Sequence, residues 1–155
     1  MRTVVKGLVV AAIVGLAAGE GAGQDFSLSP AFGSARLAAG FVDDPYLVNV
    51  LAGGGIDVSR RISGCTGSIA DAPDFRLNYE AGDLLPLSIF VESGSDTTLV
   101  VNAPDGRWYC DDDGWGDLNP LVQFDTPLSG QYDIWIGQFD GGSGVSATLG
   151  ISELY

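Results

Sequence analysis

The densest group of oxygen-donating side chains in this sequence lies between residues 111 and 119. Four carboxylates and one carboxamide follow one another there: Asp111, Asp112, Asp113, Asp117 and Asn119. Gly114 and Gly116 lie in the same stretch and permit sharp bends of the backbone. Several of these oxygens can therefore point to one place, which makes the stretch a candidate metal-ligating loop.

Carboxylates that converge in this way repel one another unless a cation or a proton joins them. Two unit charges about 4 Å apart repel by roughly 4 kcal/mol at an effective dielectric constant near 20. Calcium accepts hard oxygen ligands in irregular geometry, and weak sites suffice outside the cell. The spacing is not that of an EF-hand, because Trp115 would occupy its third ligand position and no glutamate closes the loop. The stretch predicts either a calcium site or an acidic loop splayed into water.

Composition excludes one class of catalysis and disfavours another. The chain contains no histidine, so it lacks the base that a Ser-His-Asp mechanism requires near neutral pH. Paired aspartates can hydrolyse glycosides when they flank the scissile bond, whereas the acids here crowd into one loop. We therefore expect a protein that is not an enzyme, and a weak hydrolase is the less favoured alternative.

Aromatic residues near the acidic loop indicate a second kind of site. Tyr109 precedes the loop, Trp115 lies inside it, and Trp135 follows on a later strand. Exposed rings beside polar groups form platforms for sugars or peptides, so these three are the candidate ligand-binding residues. The alternative is that such rings fill a core or its rim, which we favour for Trp108 and Trp135. Trp115, held between two glycines, is the best candidate for an exposed platform.

The two cysteines predict one disulfide, Cys65 to Cys110. Cysteine pairs in exported chains are rarely left reduced. A zinc site is disfavoured, since a structural zinc usually takes four nitrogen or sulfur ligands at short spacings, and the chain has two cysteines and no histidine. Cys110 immediately precedes Asp111, so the bridge would anchor the acidic loop.

The first 23 residues have the layout of a secretory signal peptide. Arg2 and Lys6 precede an apolar run over residues 7–18, and small residues follow up to Gly23, where we place the cleavage. The run is shorter than the roughly 20 residues that span a bilayer, so we expect no membrane span. We expect a secreted or periplasmic protein.

A formal net charge of −13 limits the partners. Such a surface repels nucleic acid and anionic lipid, so we expect no nucleic-acid partner. It favours cations or a basic partner, and acidity is also a common means of solubility.

Short β-strands must position these residues. Residues 75–79 alternate apolar and polar side chains, which is typical of a half-buried strand. Residues 84–92 are the most apolar segment after the signal and predict a central strand that begins after Pro86. Further extended segments are predicted over residues 34–41, 46–51, 56–62, 97–101, 107–110, 121–124, 131–139 and 145–154.

About nine such strands separated by glycine and proline turns, with no amphipathic helix, predict an all-β fold. The expected architecture is an antiparallel β-sandwich or jelly roll. Residues 24–33 are expected to form a flexible leader, frayed or bound to a sheet edge, and residues 34–155 a single domain.

Several motifs of the second half of the chain resemble those of the bacterial pre-peptidase C-terminal domain. They are Asp96-Thr97-Thr98-Leu99, Pro104-Asp105-Gly106, Asp111-Asp112-Asp113 with Leu118-Asn119-Pro120, and Ser129-Gly130-Gln131-Tyr132. The resemblance covers about residues 75–152 and implies a small secreted jelly-roll module without catalytic activity. Some members of that family bind calcium, and some bind collagen or polysaccharide. The positions similar to the family's acidic motif are Asp96, Asp111 and Asp112, which adds Asp96 to the predicted metal ligands. The cysteine pair and the absence of a preceding peptidase domain depart from the family's pattern.

The sequence thus predicts a secreted, calcium-binding, non-catalytic module that interacts with a protein, a glycan or a cell surface. The alternatives are a structural or envelope subunit that assembles through the edges of its sandwich, and an accessory protein of a peptidase. The sequence leaves the oligomeric state open.

Overall fold

The computed structural model describes residues 24–116 and 118–155. The predicted signal peptide lies outside the described residues. The described part of the chain contains eleven strands and one 3-10 turn: β1 Ser34–Ala38, β2 Tyr46–Gly54, β3 Ile56–Asp57, the 3-10 turn Val58–Arg60, β4 Ser68–Ile69, β5 Phe75–Glu80, β6 Leu87–Glu92, β7 Thr97–Asn102, β8 Trp108–Asp111, β9 Leu121–Phe124, β10 Gly130–Gln138 and β11 Gly142–Ser152. The described residues contain no helix that is long and apolar enough to cross a membrane.

The strands form two packed sheets, and the predicted β-sandwich is confirmed. The first sheet is built around β10, which pairs antiparallel with β5 on one side and with β7 on the other, and β8 continues beyond β7. The second sheet has the order β2-β11-β6-β9 and is antiparallel throughout. One pair departs from the antiparallel expectation, because β1 runs parallel to β5 along the edge of the first sheet.

Alternating side chains build the core between the sheets, as predicted for several strands. Phe75, Leu77 and Tyr79 of β5 point inward and are at most 3% exposed. The residues between them on the same strand, Arg76 and Asn78, are half-buried. A period of two therefore places every second side chain of β5 against the second sheet.

A smaller apolar cluster covers the opposite face of the first sheet. Val100 of β7 and Trp135 of β10 point away from the main core and pack with Val58, Ile62 and Ile69. Val58 and Ile62 lie in a segment that was predicted to be extended over residues 56–62, but it forms β3 and then a 3-10 turn. The turn lets the segment fold back over the sheet, which is why β7 and β10 are buried on both faces.

The leader expected to be flexible is bound to the edge of the first sheet. Ala31 N–H donates to Pro73 O at 2.9 Å, and Phe32 N–H donates to Asp74 O at 2.8 Å. The Phe32 side chain packs against the main core. Of the two expectations for residues 24–33, frayed or bound to a sheet edge, the structure shows the second at Ala31 and Phe32.

Candidate functional site

Three loops meet around Asp96, between β6 and β7. The Phe139 N–H donates to Asp96 O at 3.2 Å, which ties the β10–β11 turn to this point. The next residue, Thr97, donates its N–H to Leu118 O at 3.0 Å, which ties the predicted acidic loop to the same point. Backbone hydrogen bonds thus hold the loops that connect six strands next to one another at Asp96.

The negative charges of three other aspartates act on Asp96. Its pKa is raised, first by burial and then by the charges of Asp113, Asp140 and Asp112. Its Oδ1 is buried and has no hydrogen-bond partner among the described residues. A buried carboxylate oxygen without a donor is unfavourable, and three neighbouring negative charges make its ionised form more so.

Two of the predicted ligands hold the loop in place instead. Asp111 Oδ2 accepts hydrogen bonds from the backbone N–H of Gly114 at 2.6 Å and of Leu121 at 2.9 Å. Asn119 Oδ1 accepts from the Ser93 N–H at 2.9 Å, and its Nδ2 donates to Ser93 O at 3.2 Å. These bonds attach the two ends of the loop to the end of β6 and the start of β9. Asp111 and Asn119 therefore stabilise the loop, whereas the predicted ligands Asp112 and Asp113 lie near Asp96.

The clustered acids do not form a finished metal cage. Asp117, another predicted ligand, lies outside the described residues. Among the residues that are described, no three acidic or cysteine side chains are placed to hold a metal ion together. The donors are all oxygens, which matches the chemistry of calcium. Asp113 and Asp140 are exposed, so their side chains can turn toward Asp96 without repacking the core.

The predicted disulfide between Cys65 and Cys110 is confirmed, with 5.4 Å between the two Cα atoms. Cys110 belongs to β8 and directly precedes Asp111. The bridge joins that strand to the segment after the 3-10 turn, in the cluster that contains Trp135. The start of the acidic loop is thereby fixed to a packed part of the fold.

Trp115 does not stand free in its loop, which corrects the expectation of an isolated platform. Its ring stacks on Phe90 with 4.2 Å between the ring centroids and an interplanar angle of 20°. Tyr155 meets the same indole edge-on at 5.1 Å. The indole N–H donates to Glu92 Oε1 at 3.3 Å. One face of the Trp115 ring is therefore covered by Phe90, and the residue is half-buried.

The other two aromatic candidates are part of the scaffold. Trp135 is fully buried, which removes it as a ligand-binding residue and confirms the core interpretation. Tyr109 packs edge-on against Phe124 at 4.9 Å, and its hydroxyl donates to Asp105 Oδ2 at 3.2 Å. Tyr109 is half-buried and packs against the main core at its edge.

An open groove of about 500 Å³ lies against the second sheet, beside the Trp115 stack. Its lining includes polar side chains on three strands, among them Asn49, Thr148 and Glu92, together with the exposed Leu51. None of the lining residues is basic. The groove therefore presents hydrogen-bonding groups, one carboxylate and an apolar surface, and no positive charge.

Searches against known proteins give similarity at the level of fold. No family model matches the chain, and no curated protein matches it. The fold is similar to that of a pre-peptidase C-terminal domain. That domain belongs to a collagenase from Bacillus anthracis, is 13% identical, and aligns over 77% of this chain and 94% of its own length with a TM-score of 0.42.

A second solved structure with a similar fold is a periplasmic inhibitor of g-type lysozyme, PliG, from Aeromonas hydrophila. It is 17% identical and aligns over 77% of this chain and 96% of its own length with a TM-score of 0.37. The first of these two structures is of the domain type whose motifs the sequence resembles. Similarity at this level says nothing about which ligand this chain binds.

Two residues of the site carried no signal in the sequence. Asp140 lies in a glycine-rich hairpin, and only the pairing of β7 with β10 brings that hairpin to Asp96. Glu92 ends a strand, and only the folding of the acidic loop over the second sheet brings Trp115 to it. Both contacts join residues far apart in the chain, so no local pattern could indicate them.

Proposed function

We propose that this chain is an exported, non-catalytic binding module in which calcium completes the acidic site around Asp96. The observation that carries the proposal is the buried Oδ1 of Asp96, which has no hydrogen-bond partner among the described residues while three other carboxylates raise the pKa of its side chain. A divalent cation would supply the missing partner and cancel the repulsion at once. Asp112, Asp113 and Asp140 are the other residues that would hold it.

Export is part of the same proposal. The first 23 residues have the layout of a signal peptide. The Cys65–Cys110 disulfide is typical of an oxidising compartment. Calcium is abundant outside cells, so a site with few preformed ligands can still be filled there.

Calorimetric titration of the processed, disulfide-bonded protein with calcium chloride tests the calcium site. We expect measurable heat with calcium and much less with magnesium, because magnesium demands a nearly ideal octahedral geometry. Asp96→Asn should abolish the calcium heat. Asp125→Asn is the matched control, since Asp125 is exposed in the β9–β10 turn and does not contribute to the raised pKa of Asp96. The absence of heat from the unmodified protein would refute the calcium proposal.

The groove beside Trp115 supports an uncharged glycan as the partner. Hydroxyl, amide and carboxylate groups on Thr148, Asn49 and Glu92 can bond sugar hydroxyls, and Leu51 offers an apolar contact. Anionic sugars are disfavoured, since the lining contains Glu92 and no basic residue. A glycan array should therefore show binding to neutral sugars that Glu92→Gln and Thr148→Ala weaken. Binding confined to sulfated or carboxylated glycans would contradict this assignment.

A further inference from the structure

The strand β2 is an unpaired edge of the second sheet. It is nine residues long, and among the described strands it pairs only with β11. Across the described parts of the chain, 24–116 and 118–155, no other backbone group donates to or accepts from residues 46–51. The edge therefore presents a row of backbone N–H and C=O groups to solvent.

This edge lacks the features that usually prevent one sheet from pairing with another. Natural edge strands are protected by lysine, proline or an inward-pointing charge, and β2 contains no charged residue and no proline. On its outer side Leu47 is 55% exposed and Leu51 is 50% exposed. Two leucines held half in water on an unprotected edge are a feature typical of an association surface.

The sequence of β2 is suited to pairing with itself. Residues 47–51 read Leu-Val-Asn-Val-Leu, which is the same in both directions. An antiparallel pair centred on Asn49 would set Leu47 opposite Leu51 of the second copy, and Asn49 opposite Asn49. Leucines would then pack across the new strand pair on the outer face, and the valines would meet on the core side. A shift by one residue would place side chains on the wrong faces.

We propose that two copies of this chain associate through β2 to form one continuous eight-stranded sheet. The contact is a two-fold symmetric one, in which the same patch serves both copies. It does not involve the residues of the calcium site, but it uses Asn49 and Leu51, which also line the groove. Dimer formation and binding in the groove therefore share these two residues.

The charge of the chain fits this arrangement of the second copy. Two chains of net charge −13 repel at long range, but β2 itself is uncharged. Asp43 and Asp44, just before β2, would lie beside the glycines that follow residue 52 in the second copy. The two Asp44 side chains would be roughly 33 Å apart at about 3.3 Å per residue, well beyond a screening length of about 8 Å. No like charges would therefore face each other across the contact.

The contact between the two copies is small, so we expect the affinity of the dimer to be low. A standard stable interface has roughly 20–30 residues on each side, whereas the edge offers one strand. We expect a weak dimer that forms between about 10 μM and 1 mM protein. Because the two chains repel at long range, salt should strengthen the association, by about threefold or more between 50 and 500 mM sodium chloride.

Sedimentation velocity at these protein and salt concentrations tests the proposal. The unmodified protein should dimerise more with concentration and with salt. Asn49→Lys should remain monomeric, since it places two positive charges on the two-fold axis. Leu84→Lys is the matched control, because Leu84 is 92% exposed between β5 and β6, and it should dimerise as the unmodified protein does. A monomer at every concentration, or dimers of Asn49→Lys equal to those of the unmodified protein, would overturn the proposal.

Oxidative cross-linking checks the register and does not depend on the folding of the lysine variant. Asn49→Cys should form a disulfide-linked dimer with itself. A mixture of Leu47→Cys and Leu51→Cys should form a disulfide between the two variants. Leu47→Cys alone should not, because residue 47 of one chain would lie about 13 Å from residue 47 of the other. Equal cross-linking of Leu47→Cys with itself would exclude this pairing.

Discussion

The ring of Phe90 lies directly over Gly150 on the outer face of the second sheet. The two residues are paired across β6 and β11, and a Cβ added at Gly150 would come within 2.1 Å of the Phe90 Cζ atom. The missing side chain of Gly150 therefore makes the space in which the ring lies flat. Trp115 then stacks on the other face of the ring, so Phe90 is only 2% exposed although it points away from the core.

Gly150→Ala should displace this stack. The added methyl group would push the Phe90 ring off the sheet and separate it from Trp115. We expect a loss of roughly 1–3 kcal/mol in the free energy of unfolding, which is typical of overpacking, together with a change in tryptophan fluorescence. Urea unfolding followed by fluorescence measures both.

Gly55→Ala is the matched control for that substitution. Nothing lies within 4 Å of a Cβ built at Gly55, and the change to the unfolded chain is the same as at Gly150. It should alter stability by no more than about 0.5 kcal/mol. Equal effects of the two substitutions would show that the contact between Gly150 and Phe90 is not important for stability.

The sequence predicted the features that depend on neighbouring residues. The alternation of Phe75, Leu77 and Tyr79 indicated the inner face of β5, and the two cysteines in a chain with a signal-like start indicated their bridge. Both predictions follow from a period of two or from composition, and neither needs knowledge of the strand order.

Features that depend on contacts between distant strands were missed. Trp115 was predicted to be exposed because glycines flank it, but its ring stacks on Phe90, which lies on β6. The sequence placed Asp140 in a hairpin loop with no sign of a functional role, whereas in the folded chain its charge helps to raise the pKa of Asp96. The 3-10 turn was read as extended chain, because the apolar side chains of Val58 and Ile62 suit either conformation when they cover a sheet.

Asp96→Asn should change stability in opposite directions with and without calcium. In a chelator it removes an ionisable group whose charged form is disfavoured by burial and by three carboxylates, so the melting temperature should rise by roughly 2–4 °C. With millimolar calcium the unmodified protein should gain stability and the variant should not. Differential scanning calorimetry in both conditions measures this reversal. A variant that calcium stabilises as much as it does the unmodified protein would exclude Asp96 as a ligand.

Removing the disulfide should destabilise the fold and loosen the acidic loop. A bridge across a sequence separation of 45 residues contributes about 4 kcal/mol in the chain-entropy model. The double variant Cys65→Ala, Cys110→Ala should lose about that much free energy of unfolding in urea. Hydrogen exchange should increase most near Asp111, which follows the bridge directly. Faster exchange spread evenly over both sheets, with no excess near Asp111, would show that the bridge does not anchor the loop.

Asp74 should make the stability of the protein depend on pH. It is 2% exposed, its Oδ2 accepts the Ile136 N–H at 2.7 Å, and burial raises its pKa to about 7. The folded chain therefore holds this proton more tightly than the unfolded chain, in which the pKa is near 4. The contribution of Asp74 to the free energy of unfolding should fall by roughly 2–4 kcal/mol as the pH rises from about 4 to about 7, and then level off.

The Asp74→Asn variant isolates this effect. Asparagine keeps an oxygen acceptor for the Ile136 N–H and cannot lose a proton, so the variant should be more stable than the unmodified protein at pH 8 and should lose that advantage at pH 4.5. Asp71→Asn is the control, since Asp71 is exposed three residues away and should leave the pH dependence intact. Urea unfolding at pH 4.5, 6 and 8 gives the comparison. A difference between Asp74→Asn and the unmodified protein that stays constant over this range would mean that Asp74 ionises in the folded protein as it does in water.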